Sequence, residues 1–155
     1  MINLNFLSFL EFIDITNLSL ISLFVISILA ATVLPIGSEA ILVGILKSSP
    51  SFFWISILVA TLGNTIGGII SFKMGFYAKQ IFAKDVQTIW FHRLKKNGPK
   101  TLLLAWLPIV GDSMCILAGW LNYSFWLSVL YMAIGKFLRY FMIAVFAINM
   151  FPAII

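Results

Sequence analysis

Four ionisable side chains stand inside otherwise apolar stretches of this 155-residue chain: Glu39, Asp112, Lys136 and Arg139. A charge at the centre of a bilayer costs roughly 2.5–3.5 kcal/mol on insertion scales, so each of them needs a partner or a task. Glu39 follows Gly37-Ser38 and Asp112 follows Gly111. This places both carboxyls at the start of short helices, where free N–H groups and the positive dipole end favour an anion. Simple capping is one reading, since Ser38 and Asp112 are good N-cap residues, although a serine would cap without the cost of a charge. The other reading is that two carboxyls approaching each other in low dielectric share and carry protons. Lys136 and Arg139 are three residues apart and so on one helical face. Either they neutralise Glu39 and Asp112, or they bind a phosphate, for which Arg offers a planar donor fork and Lys a point charge.

The surrounding chain repeats itself. Leu34-Pro35-Ile36-Gly37-Ser38-Glu39 leads through Ile41-Leu42-Val43-Gly44 and Ser51-Phe52-Phe53-Trp54 to Gly63-Asn64. Leu107-Pro108-Ile109-Val110-Gly111-Asp112-Ser113 leads through Ile116-Leu117-Ala118-Gly119 and Ser124-Phe125-Trp126 to Gly135-Lys136. Paired hydrophobic segments interrupted by Gly and Pro point to a transporter site. In this alignment Asn64 corresponds to Lys136 and Gly67 to Arg139, so the first half offers an amide and open space where the second offers cations. Asn64, Ser38 and Ser113 join Lys136 and Arg139 as candidate headgroup contacts.

The elements that must position these groups are membrane helices. The chain is 62% hydrophobic and 10% charged, with a mean hydropathy of +1.09, too apolar for a soluble domain of this size. Leu18 to Leu46 is 29 residues with one charge, and Ser48 to Phe72 is 25 residues with none. Thr101 to Gly135 carries only Asp112. About 20 residues suffice to cross a hydrocarbon core of about 30 Å. The apolar runs are continuous and lack the strict alternation of a β-barrel.

Pro35 and Gly37 break the first stretch, and Pro108 and Gly111 the second, because proline removes a donor and glycine tolerates left-handed backbone. The downstream piece of the first break, about nine residues, is too short to span. A re-entrant hairpin is allowed at membrane depth where protein or water satisfies its backbone. The expected fold is therefore an all-α integral membrane protein, one domain over 1–155. Repeat one (about 18–76) and repeat two (about 101–151) each consist of a hairpin plus a spanning helix (about 51–76 and 123–151). A connector (about 77–99) joins them. The repeats enter from opposite faces, with both termini outside and the hairpin tips near the midplane. The competing reading is that Leu18 to Leu34 spans outright.

Between Lys73 and Lys100 lie seven basic residues against one acid, Asp85, which makes this loop cytoplasmic by the positive-inside rule. It reads as an amphipathic helix from about Tyr77 to Leu94, stopped by Asn97-Gly98-Pro99, with a solvated linker as the alternative. The net charge of +5 is explained by this membrane-facing loop, so nucleic acid is not expected. Residues 1–17 hold Glu11 and Asp14 and no Lys or Arg, the opposite of a signal peptide's basic start, and read as an interfacial lead-in. The lone Cys115 cannot form an intrachain disulfide and reads as a packing residue. His92 has no partner at metal-site spacing. Gly63, Gly67 and Gly68 read as close-packing positions, and the tryptophans as interfacial anchors. No nucleotide, zinc or nucleophile–base motif is present. Neither enzymatic activity, a cofactor nor a metal is expected.

Leu34-Pro35 with Gly37-Ser38-Glu39, Gly63-Asn64 with Gly67-Gly68, Trp106-Leu107-Pro108 with Val110-Gly111-Asp112, Leu117-Ala118-Gly119-Trp120, and Gly135-Lys136 with Leu138-Arg139-Tyr140 resemble the YqaA branch of the bacterial DedA superfamily, also called VTT or SNARE-associated proteins. The resemblance covers about residues 20–145. It implies two opposed re-entrant hairpins, a place in the bacterial inner membrane, and a role in translocating lipids such as undecaprenyl phosphate or phosphatidylethanolamine, often dependent on the proton-motive force. Glu39 matches the acidic residue of the first hairpin. Many members carry an arginine three residues after the second hairpin's proline, where this chain has Gly111 followed by Asp112; Lys136 and Arg139 would then supply the cation. The expected function is a flippase of a phosphate-bearing lipid, coupled to protons, with membrane lipids as partners and a homo-oligomer left open. A small-ion carrier or channel using the same charges is the first rival, though few polar residues are available for a continuous file. The second is a non-transporting assembly or stability factor whose charges neutralise one another.

Overall fold

The computed structural model describes residues 18–31, 37–82, 98–107 and 110–150. The N-terminal lead-in, Pro35, Pro108, His92, Trp90 and most of the expected amphipathic connector lie outside these residues. Every regular element described is helical. In chain order they are α1 (Leu18–Ala30), α2 (Ser38–Ser48), a single 3₁₀ turn (Pro50–Phe52), α3 (Phe53–Phe82), a nine-residue 3₁₀ segment (Gly98–Trp106), α4 (Val110–Trp120) and α5 (Phe125–Met150). Two helical stretches, Pro50–Ile81 and Phe125–Met150, are long and apolar enough to cross a membrane.

The centre of the molecule is α3, because its small residues let three neighbours approach its backbone. Along one face Gly63 meets Phe24 and Ser27, Gly67 meets Ile28 and Ala31, and the Ser71 hydroxyl donates to the Ala31 carbonyl at 3.0 Å. These contacts advance together, so α1 runs parallel to α3. Without a strong hydrophobic drive inside lipid, such small-residue seams are what allow helices to associate. The expectation of close packing at Gly63 and Gly67 is met, but Gly67 is not open space: a side chain there would strike the Ile28 carbonyl.

Further along α3, Gly75 lies against the Ile116 carbonyl, and Gly119 of α4 against the Phe72 carbonyl and the Phe76 amide. Helix α4 is thus locked to α3 backbone to backbone. Helix α5 runs antiparallel to α3: Phe125 packs on Phe72 with ring centroids 5.9 Å apart, and Phe141 sits near Phe53 at 6.5 Å. In α5, Gly135 meets Leu102, Leu103 and Ala105 of the 3₁₀ segment, much as Gly63 meets α1. The first short helix, α2, packs Leu42, Ile45 and Leu46 with Ile57 and Ala60 of α3 and Tyr140 and Ala144 of α5.

The local sequence accounts for the element ends. Gly37, with φ +141°, holds a backbone geometry that a side chain would strain, and its carbonyl accepts the first helical bond of α2, from the Ile41 amide, at 3.2 Å. Helix α4 ends where Tyr123 N–H bonds the Ala118 carbonyl and Asn122 N–H the Gly119 carbonyl. Asn122 sits at φ 55°, the left-handed residue such a termination requires. Trp54 and Trp126 are the second residues of the two long helices and remain largely exposed, which suits anchoring at an interface.

Two boundaries differ from expectation. The first long helix does not give way near residue 76 to a separate amphipathic element. It continues to Phe82, because Gly75, the one weak helix former there, is held by its contact with α4. The upstream arm of the second broken segment is 3₁₀ rather than α-helical; it begins with Gly98 at φ +60° and Pro99, which supplies no backbone donor.

Candidate functional site

Asn64 and Lys136 each stand eleven residues past the first residue of their long helix. That is about 16 Å along the axis, half of what a hydrocarbon core demands. The starts of both short helices converge at this level, so all four ionisable groups meet in one layer.

Lys136 is 1% exposed and Asp112 18%; the ammonium donates to Asp112 Oδ1 at 3.1 Å. It also donates to the Asn64 main-chain carbonyl at 2.7 Å and to Asn64 Oδ1. An ammonium has three donors, and all three are used. Gly68 makes this possible: it lies one turn beyond Asn64 on α3, and a Cβ there would stand 3.2 Å from Lys136 Nζ. Its hydrogen leaves the Asn64 carbonyl open to the lysine.

The second pair is built differently. Arg139 Nη2 donates to Glu39 Oε1, with Arg139 6% exposed but Glu39 39%. The helix start beneath Glu39 has no side-chain cap; Gly37 occupies the cap position. The expected capping role of Ser38 is therefore not what the structure uses. Its hydroxyl bonds the Tyr140 hydroxyl at 3.0 Å instead. Asp112 is the third residue of α4 rather than its cap, and turns to Lys136. Each carboxyl meets a cation, and no bond joins the two carboxyls.

Asn64 links Lys136 to Tyr140. Its Nδ2 donates to the Tyr140 hydroxyl at 2.6 Å while its Oδ1 accepts from Lys136. Tyr140 is fully buried. It was visible in the sequence only as the residue after Arg139; its place one turn beyond Lys136, on the same face, is the signal that assigns it to the layer. Of the sequence-derived site residues, the structure brings together Glu39, Asp112, Lys136, Arg139, Asn64 and Ser38. Ser113 is on the exposed side of α4. Cys115 is buried, its thiol on the Gly111 carbonyl at 3.3 Å, within a cluster of Phe72, Leu102, Ala118 and Met132. Among the described residues no group of His, Cys, Asp and Glu could hold a metal ion.

No protein-family model matches the chain, and no solved structure matches it. Curated proteins do. The chain is 41% identical over 124 residues to the inner membrane protein YqaA of Escherichia coli, covering 78% of this chain and 85% of that protein. The same figures hold for YqaA of Shigella flexneri. A Haemophilus influenzae protein named only as uncharacterized is 38% identical over 125 residues, 76% of this chain and 80% of its own. With its two long apolar helices, the chain is a bacterial inner-membrane protein, and it belongs to the YqaA family.

Proposed function

We propose that this protein is a proton-coupled transporter of a phosphate-bearing lipid, holding the headgroup at Arg139 and the uncapped start of α2. The observation that carries this reading is the half-open Glu39–Arg139 pair. A guanidinium presents five donors, and Nη2 to Glu39 Oε1 is the single bond the described residues give it. Beside it, α2 begins without a side-chain cap, at the positive end of the helix dipole. A phosphate arriving there would take the place of Glu39 on the arginine, and the displaced carboxylate would become able to accept a proton. Lys136, its donors all used, would fix the layer rather than grip the headgroup.

The remaining features are assembled on the same reading. Helix α1 runs with α3 and α2 returns along α5, as a re-entrant hairpin would; α4 enters from the other end. The lipid's tails would stay in the bilayer, the basic end of α3 and the segment after it, up to Lys100, would face the cytoplasm, and both termini the outside. Cysteines placed near Lys95 and near Asn3 and Ile155 test this: opposite-side labelling of the two termini rejects the inverted arrangement.

Transport of labelled phosphate-bearing lipids in proteoliposomes, with and without a pH gradient, tests the function. Parent protein should move lipid faster with the gradient, and Glu39→Gln should move it at a rate independent of the gradient. Equal rates with and without the parent protein reject the reading. A second reading, a membrane assembly or stability factor, is favoured by the completeness of the Lys136 shell. On it, neutralising an acid and its base together restores the parent's behaviour.

A further inference from the structure

The bonds that lead from the Asp112–Lys136 pair to the start of α2 follow an order. Lys136 carries no acceptor, so the atom of Asn64 facing it is Oδ1 and the amide nitrogen faces Tyr140. The Tyr140 oxygen therefore accepts from Asn64, and the Tyr140 and Ser38 hydroxyls share the next bond, at 3.0 Å. The order runs Asp112, Lys136, Asn64, Tyr140, Ser38, and passes from α4 through α5 and α3 to α2. Ser38 is the residue before Glu39, at the first turn of α2. All the links but the Asp112 carboxyl are nine-tenths or more buried, where one bond polarises the next and water does not substitute.

We infer that Asn64 and Tyr140 are positioning residues that join the two short helices into one mechanical unit, so that loosening the start of α2 is felt at the start of α4. This goes beyond the choice of cargo and holds whether or not a lipid is transported. No direct bond between α2 and α4 is needed. Their starts communicate because a single phenol and a single amide, the amide with its orientation dictated by the lysine, fill the space between them. Phenylalanine in place of Tyr140 would keep the volume and break the order at one point.

The chain holds its own probe. Cys115 is the single cysteine, fully buried one turn past Gly111 in α4, so its alkylation by N-ethylmaleimide requires the first turn of α4 to open. In the full-length protein purified in detergent, Ser38→Ala should raise the alkylation rate about fivefold, the effect of losing one ordinary hydrogen bond. Tyr140→Phe should raise it at least as much, and the double variant no further. Ser71→Ala, which breaks a bond to α1 outside this order, should leave the rate at the parent value. Ser38→Ala touches neither α4 nor Lys136, so it keeps the test decisive even if Tyr140→Phe fails to fold. A parental rate in Ser38→Ala, or effects of the two variants that multiply, overturns the inference.

Discussion

The two ion pairs of the central layer use the same parts, an acid at the start of a short helix and a base on α5, yet they are finished differently. Asp112–Lys136 is closed: the lysine is 1% exposed and every donor is used. Glu39–Arg139 is open on the acid side, at 39% exposure. The difference teaches that a buried charge can be placed either to hold a structure or to be exchanged. The count of remaining donors and the exposure of the partner tell which. A lysine against a backbone carbonyl bared by glycine suits the first task, and a planar fork beside an uncapped helix start suits the second.

The largest effect should come from breaking the closed pair. Asp112→Ala would leave a buried, unpaired ammonium, and should cost about 3–5 kcal/mol, read as a fall in thermal unfolding temperature in detergent. Asp112→Ala combined with Lys136→Met should recover most of it. If the single variant unfolds like the parent, the pair is not closed as described.

Next is Gly68→Ala. Its methyl group would stand 3.2 Å from Lys136 Nζ, and the lysine, held by three acceptors, has little freedom to give way. A loss of about 1–3 kcal/mol, the range for overpacking, should appear in the same unfolding measurement.

The open pair should respond less in stability and more in binding. Glu39→Gln should cost at most about 1 kcal/mol, because an ion pair reached by solvent contributes little. It should also tighten binding of a phosphate-bearing lipid, since the competitor for Arg139 is gone. Weaker binding in Glu39→Gln, measured on the purified protein, would assign the carboxyl to the ligand's side. Arg139→Lys should bind poorly even though the charge is retained, for want of the donor fork.

The smallest effect serves as the reference. Gly44 lies in the middle of α2 with nothing within 4 Å of a Cβ built on it. Gly44→Ala should therefore stabilise by about 0.4–1 kcal/mol without changing either pair. A loss there would show that α2 is packed more tightly than its contacts suggest.

Much of this was legible in the chain itself. Charge in apolar sequence had to be compensated, so Glu39, Asp112, Lys136 and Arg139 announced themselves by type and position. The Pro/Gly breaks gave two short helices where the structure has α2 and α4. The glycines at 63 and 67 announced a close seam, though not that α1 would fill it. The end of α3 was misjudged because charge composition changes at Lys73 while helix continuity depends on Gly75 being held by Ile116, a contact no local pattern reveals. Ser38 looked like a cap because capping is a local habit of serine. Its real partner, Tyr140, is 102 residues away.

The sequence by itself determined that the chain lives in a membrane, where it breaks, and which four charges must be answered, because hydropathy, backbone donors and the cost of burying charge are properties of each residue. Only the tertiary structure decided which acid answers which base, that the lysine is closed and the arginine open, and that Asn64 and Tyr140 stand between them. Those outcomes depend on the level at which antiparallel helices lock together, and that level is set by glycine contacts between segments far apart in the chain.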